Sequence, residues 1–174
     1  MNKRISFWVL FTVTFILYLI MSLWSLPYIS TLAMGLVPFD FRPSGYSDIE
    51  AREFLNALNQ TGRDFYINVQ HKLDFAYPIL LAATLAFSIF LLVPIGWGKL
   101  KITLPFFAVP IAIFDLLENF SVAQMLNADI ANLSSELIAK ASFYTVLKSY
   151  STTIIASFSL VLLLRWFWIR FKSK

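Results

Sequence analysis

An all-α bundle of four membrane-spanning helices is the fold class this sequence predicts, on three observations. The 174 residues are 59% hydrophobic and only 14% charged, with a mean hydropathy of +0.72, far from the balance of a soluble domain. Four apolar runs, at about 5–26, 73–95, 102–126 and 141–169, each reach the ~20 residues that cross a ~30 Å hydrocarbon layer as a helix. None alternates like a membrane barrel strand, and in lipid such segments satisfy their own backbone hydrogen bonds only as helices. The chain reads as one integral membrane domain, 1–174, with no repeat, low-complexity segment or second domain.

The first run follows Lys3 and Arg4, as in a signal peptide, but it exceeds the ~7–15 residues of a signal-peptide core and is read as a retained anchor. Removal at Thr31-Leu32-Ala33 is the alternative. The connection that follows, 27–72, holds the longest polar stretch. Pro43-Ser44-Gly45 is a turn signal, and Ser47-Asp48-Ile49-Glu50 matches a capping box, in which Ser47 and Glu50 satisfy free amides at a helix start. The expectation is a short amphipathic helix over about 48–61, with Ala51, Phe54, Leu55 and Leu58 on one face and Gly62 just after its C-cap. Such a helix lies on the membrane surface or on the top of the bundle.

No breaker separates Arg63 from Lys72, so the second span is expected to begin early as one continuous helix. Arg63, Tyr66, Gln70, Asp74 and Tyr77 then stack along one face, and Pro78 bends the helix. In the third span, Pro105 suits a first turn and Pro110 is expected to kink the helix one turn before Asp115. Ser134 or Ser135 is placed to cap the fourth helix.

Four spans put both termini on one side. Lys3, Arg4, Lys99, Lys101, Arg165, Arg170, Lys172 and Lys174 cluster in the tails and the short second connection. Arg42, Arg52, Arg63, Lys72 and Lys140 are diluted over two longer ones. The positive-inside rule therefore puts both termini in the cytoplasm and the long first connection outside. The net charge of +4 and pI of 9.4 follow from these anchors, and nucleic acid is not an expected partner. With no cysteine, disulfides, thiol catalysis and thiolate metal sites are excluded. Gly-rich phosphate loops, nucleophile elbows and HExxH patterns are missing too, and no cofactor is expected.

The most informative residues are Asp115, Glu118 and Asn119, inside the third apolar run. A charge at the middle of a membrane helix costs ~2.5–3.5 kcal/mol on insertion scales, so it needs a partner, water or a proton. At 1.5 Å per residue, Glu118 lies ~12 Å and Asp115 ~16 Å below the outward end of the third span, and Lys148 of the fourth span lies ~9 Å below the same boundary. Asp115, Glu118 and Asn119 share one helical face, while Tyr144, Lys148, Ser151 and Thr152 share another. The economical arrangement has the two faces meeting.

Two readings follow. A Glu118–Lys148 pair can simply hold helices together, but measured interhelical polar contacts average only ~0.6 kcal/mol, a small return for two carboxylates and a lysine. Intramembrane ionisable groups are otherwise functional by default. The ligand-binding candidates are Asp115, Glu118, Asn119, Lys148, Tyr144, Asp74, Tyr77, Arg63 and Tyr66; Asp115, Glu118 and Lys148 are also the catalytic candidates. His71, the only histidine, with Asp74 is a weak metal candidate, since zinc sites favour several histidines or cysteines. Arg63 and Lys72 can attract phosphate or head groups, or simply be solvated. Trp24, Trp97, Trp166 and Trp168 read as interfacial belt residues, and Tyr18 as an anchor or a cavity wall.

The ordered combination Phe39-Asp40, Gly45-Tyr46-Ser47, Gly62-Arg63-x-x-Tyr66, Asp74-x-x-Tyr77-Pro78, Asp115-x-x-Glu118-Asn119 and Leu147-Lys148 resembles a group of small uncharacterised bacterial four-helix integral membrane proteins. The resemblance spans most of the chain and implies this architecture and a plasma-membrane location (the inner membrane of a bacterium). It carries over no catalytic roles.

The favoured functional expectation is an outward-open polar cavity that binds a small polar ligand or a lipid head group, with Asp115, Glu118 and Asn119 as acceptors, Lys148 as counter-charge and the first-connection helix as a cap. Membrane lipids are the expected partners. The alternatives are an intramembrane enzyme using Asp115 or Glu118 as general acid or base on a lipid-like substrate, and a subunit of an oligomeric ion or proton transporter. The last requires a homo-oligomer, for which Ala82 with Ala86 and Ala108 with Ala112 are small-residue spacings. An assembly factor or partner subunit is a fourth class without a specific sequence signal.

Overall fold

The computed structural model describes residues 2–172, so Lys174 of the basic tail lies outside it. Among the described residues the chain is helical with no strand. Four helices are long and apolar enough to cross a membrane: α1 (Lys3–Leu32), α3 (Gln60–Leu92), α4 (Leu100–Asn127) and α5 (Ser135–Lys172). A shorter helix, α2 (Asp48–Ala57), lies in the first connection. The long helices outrun their apolar stretches because polar caps carry them further. Asn2 accepts from the Arg4 amide at the start of α1 (3.1 Å), and Asn59 accepts from the Gly62 amide at the start of α3 (2.8 Å).

α2 starts on its capping box: the Glu50 carboxylate accepts from the Ser47 amide (2.7 Å) and Ser47 Oγ accepts from the Glu50 amide (3.3 Å). It stops at Ala57, where Leu58 turns extended, four residues short of the expected end. Asn59 there caps the next helix, so Gly62 belongs to the first turn of α3 rather than following a C-cap. What Gly62 supplies is space: a Cβ would sit 2.4 Å from Leu58 Cδ1 and 3.1 Å from Leu32 Cβ. The apolar face of α2 is packed inside the protein, with Ala51, Phe54 and Leu55 fully buried.

α3 is central, packing on α1, α4 and α5, while α4 and α5 share the most extensive pairing. Both α1 and α3 contain a π-helical turn, Met21–Ser25 and Tyr66–Gln70, and the two turns touch. At that contact Ser25 donates to Gln70 Oε1 (2.6 Å) with both residues fully buried. Further along, Thr14 and Thr84 hydrogen-bond at 2.8 Å between the same helices. In α4, one α-helical turn (Leu100–Thr103) and a 3-10 segment (Leu104–Ala108) precede the main α-helical part, so Pro105 stands in the first turn of the 3-10 segment and Pro110 in the first turn of the main part from Val109 rather than kinking its middle.

Two apolar clusters form the core. One gathers Leu26, Ile29, Phe39, Phe54, Tyr66 and Met125 at the end where α2 sits. The other gathers Ala82, Ile89, Ile111, Ile155 and Leu162 towards the end holding the termini. Along α3, α4 and α5 alike, the residues between these clusters are the polar ones, so the structure holds a polar layer between two apolar ones.

Three arginines fasten the α2 end. Arg42 donates to the Val37 carbonyl (2.8 and 3.0 Å). Arg52 pairs with Asp48 (2.8 Å) and donates to the carbonyls of Ile130 and Leu133. Arg63 donates to the carbonyls of Leu126 (2.9 Å) and Leu55 (2.6 Å), completing free acceptors near the C-termini of α4 and α2.

Candidate functional site

The two polar faces of α4 and α5 meet. Lys148 Nζ lies 2.7 Å from Glu118 Oε2 and 3.2 Å from Asp115 Oδ1, with the side chains of Glu118 and Asp115 only 1% and 6% exposed. Glu118 takes a second bond from Thr145 Oγ1 at 2.7 Å, one residue round α5 from Tyr144. One ammonium thus serves two carboxylates, and a buried charge paired and hydrogen-bonded in this way is tolerable where a lone one is not.

Asn119 plays a different part from the acceptor expected of it. Pro78 has no N–H, so the Asp74 carbonyl four residues earlier loses its intrahelical donor. Asn119 Nδ2 supplies the missing bond, donating to the Asp74 carbonyl at 3.0 Å, and also reaches Asp115 Oδ1 at 3.4 Å. The proline of α3 and the asparagine of α4 therefore form one unit that fixes Asp74 beside Asp115.

Asp40, from the short 3-10 turn Phe39–Phe41 of the first connection, completes the cluster. Tyr66 donates its phenolic hydrogen to Asp40, and the ring of Tyr66 packs on His71 at 5.4 Å between centroids. The Asp40 carboxyl is also within side-chain hydrogen-bonding reach of Asp74. Burial pushes the Asp40 carboxyl upward, but the charge of Lys148, the hydrogen bonds of Asp74 and Tyr66 and the nearness of His71 outweigh it and hold the group below the usual carboxylate value. Tyr46, in the same connection, is pushed well above its ordinary value by burial and by the negative charge of Glu118, so its phenol stays neutral.

A cavity of about 500 Å³ opens on this cluster. Asp40, Asp74, Asp115 and Lys148 form its polar wall; Tyr18, Tyr77 and Phe41 are aromatic; Ser149, Thr152 and Thr153 of α5 add hydroxyls. Glu118 is not part of the lining; it stands behind Lys148 and Asp115. The cavity lies where the π-helical turn of α1 brings Met21 and Ser22 to the wall, the kind of place where such turns recur.

Of the residues expected in a site, Asp74, Tyr77, Asp115 and Lys148 reach the cavity, while Glu118, Asn119 and Tyr66 stand directly behind it. Two do not take part. Arg63 is spent on the carbonyls of Leu55 and Leu126, and Tyr144 is half-buried beside Phe143 outside the lining. His71 keeps its ring against Tyr66, and the described residues contain no group of three placed to hold a metal ion. Asp40 stood only in the Phe39-Asp40 motif of the resemblance and not among the site candidates, and Thr145 was not singled out: an aspartate in a polar connection and a threonine in a helix look ordinary until the fold brings them to Tyr66 and Glu118.

Comparisons with protein families, with curated proteins and with solved structures find no match.

Proposed function

We propose that this chain is a multi-pass plasma-membrane protein with cytoplasmic termini, and that its polar cavity binds a small polar ligand or a lipid head group from the outer side. The observation that carries the reading is the convergence of Asp40, Asp74, Asp115 and Lys148, from four separate segments, on one cavity of about 500 Å³ between two apolar clusters. Holding helices together does not call for such a wall, because packed apolar residues in place of a buried ion pair are often equally stable. Support for the orientation comes from the basic residues at the end bearing the termini, where Lys3 and Lys101 both lie over the Phe90 ring at 5.3 and 5.2 Å. At the opposite end Arg42, Arg52 and Arg63 are engaged within the protein.

The test is ligand-dependent stability. Purified, delipidated protein is melted with and without a native lipid extract; the extract is expected to raise Tm in the wild type and to lose that effect in Asp115→Asn. An equal shift in both removes the reading, and no shift in either removes its lipid head-group form.

A catalytic reading has one specific observation behind it. The Asp40–Asp74 carboxyl pair is an arrangement that serves general acid–base chemistry, because two adjacent carboxyls hold one proton between them. This moves the proton-transfer role from Asp115 and Glu118, which are both paired with Lys148, to Asp74. A mass change in native lipids that vanishes in Asp74→Asn is the outcome that selects it.

A further inference from the structure

We infer that the ligand of this cavity presents a protonated primary amine, held between the Asp40–Asp74 carboxyl pair and the Tyr18–Tyr77 ring pair. The inference rests on the cavity being a binding site and names what it binds.

Charge balance is the first argument. Three carboxyls line the cavity and Glu118 stands behind them, while the one lining cation, Lys148, is already shared between Asp115 and Glu118 at 3.2 and 2.7 Å. Lys148 therefore has little left for a phosphate or a carboxylate, and an anionic ligand would face surplus negative charge. A cationic ligand relieves it.

The second argument is an unfilled hydrogen bond. Asp74 is 2% exposed and lines the cavity, yet apart from a proton shared with Asp40 no N–H or O–H donor meets its Oδ2. A buried carboxylate oxygen without a donor is costly, and the adjacent Asp40 carboxyl offers only another acceptor unless a proton lies between the two. An ammonium N–H entering from the cavity satisfies this oxygen and releases any shared proton to solvent. A quaternary ammonium has no N–H to give and is excluded, while a primary ammonium, with three, has the most to offer Asp74 Oδ2 and the adjacent Asp40 together.

The aromatic wall is the third. Tyr18 and Tyr77 lie 6.1 Å apart between ring centroids at the edge of the same cavity, and ring faces attract ammonium groups that have left water. Tyr18 is 46% exposed, so it stands at the mouth rather than in the floor. With no three-ligand cluster among the described residues, an organic cation fits better than a metal ion.

The experiment measures the Tm shift of the full-length protein in detergent against ethanolamine, choline, short-chain phosphatidylethanolamine and short-chain phosphatidylglycerol. Stabilisation by a primary amine but not by choline or phosphatidylglycerol is the expected result. An effect of free ethanolamine marks a soluble amine as the source, and an effect of phosphatidylethanolamine alone marks the lipid head group. Asp74→Asn should weaken half-saturation about tenfold or more, the loss of one charge-assisted bond. If Asp74→Asn does not fold, Tyr18→Leu at the exposed mouth should weaken it in the same direction. Phosphatidylglycerol stabilising as well as phosphatidylethanolamine, with dependence on Asp115, overturns the amine and leaves the binding site standing. Stabilisation by native lipid extract with none from either amine also overturns the amine alone. An absence of stabilisation by any of these overturns both.

Discussion

Replacing Asn119 by alanine should cost far less once Pro78 has been replaced as well. In the wild type, Pro78 leaves the Asp74 carbonyl without a backbone donor and Asn119 Nδ2 fills the gap at 3.0 Å. Asn119→Ala strips that donor from a carbonyl in the interior of the bundle, and a buried unsatisfied acceptor costs ~1–3 kcal/mol. The weaker contact with Asp115 Oδ1 at 3.4 Å is lost too, adding a few tenths of a kcal/mol by the same reasoning. Pro78→Ala restores an N–H four residues after Asp74, and the carbonyl regains its intrahelical bond. In that background Asn119→Ala loses only the Asp115 contact. The double-mutant cycle should therefore show a coupling of ~1–2 kcal/mol, up to about a thirtyfold change in the unfolding equilibrium. Reversible denaturation in mixed micelles of the four proteins measures it. A coupling inside the ~0.3–0.5 kcal/mol scatter of independent sites would refute the assignment of Asn119 as the substitute donor for a proline-broken helix.

Lys148→Met leaves Glu118 and Asp115 buried without their cation and should destabilise by ~3–5 kcal/mol; adding Glu118→Gln should recover part of it, and a double variant no more stable than the single one contradicts the pairing in the structure. Gly45 has φ +80°, and a Cβ there would lie 2.6 Å from Ser142 Oγ, so Gly45→Ala should cost at least ~1 kcal/mol; Gly45→Ala with Ser142→Ala should remain destabilised, because the backbone strain persists, and a melt at the wild-type temperature would contradict this. Asp40 titrates below its ordinary value of 3.8, so the stability from its ionised form is fully present above that value and is lost as pH falls through the lower folded value. Denaturation curves between about pH 5 and 2 should show a shallower acid loss in Asp40→Asn, and an unchanged acid limb would count against it.

Different parts of this architecture were legible to different degrees. The four long helices follow from composition and run length, since a stretch of ~20 apolar residues has few folds open to it. The continuous helix expected from Arg63 into the second span is present, and the Asn59 cap starts it only three residues earlier, at Gln60. Asp115, Glu118 and Lys148 were visible because each interrupts an apolar helix. Tyr144 was named where Thr145 makes the contact, a single step of about 100° around the helix that the sequence periodicity does not resolve.

What the sequence alone determined is therefore the class: an all-helical chain with four helices long and apolar enough to cross a membrane, and a small set of charges too costly to be left without partners. Tertiary structure decided how those charges are spent. It sent Arg63 to free carbonyls, gave Lys148 to two carboxylates at once, turned Asn119 into a donor because Pro78 had removed one, and brought Asp40 from a polar connection to Asp74. The physical reason is that burial costs are set residue by residue along the chain and are legible there. The partners that offset those costs come from other helices, whose rotation and register are fixed only when they pack.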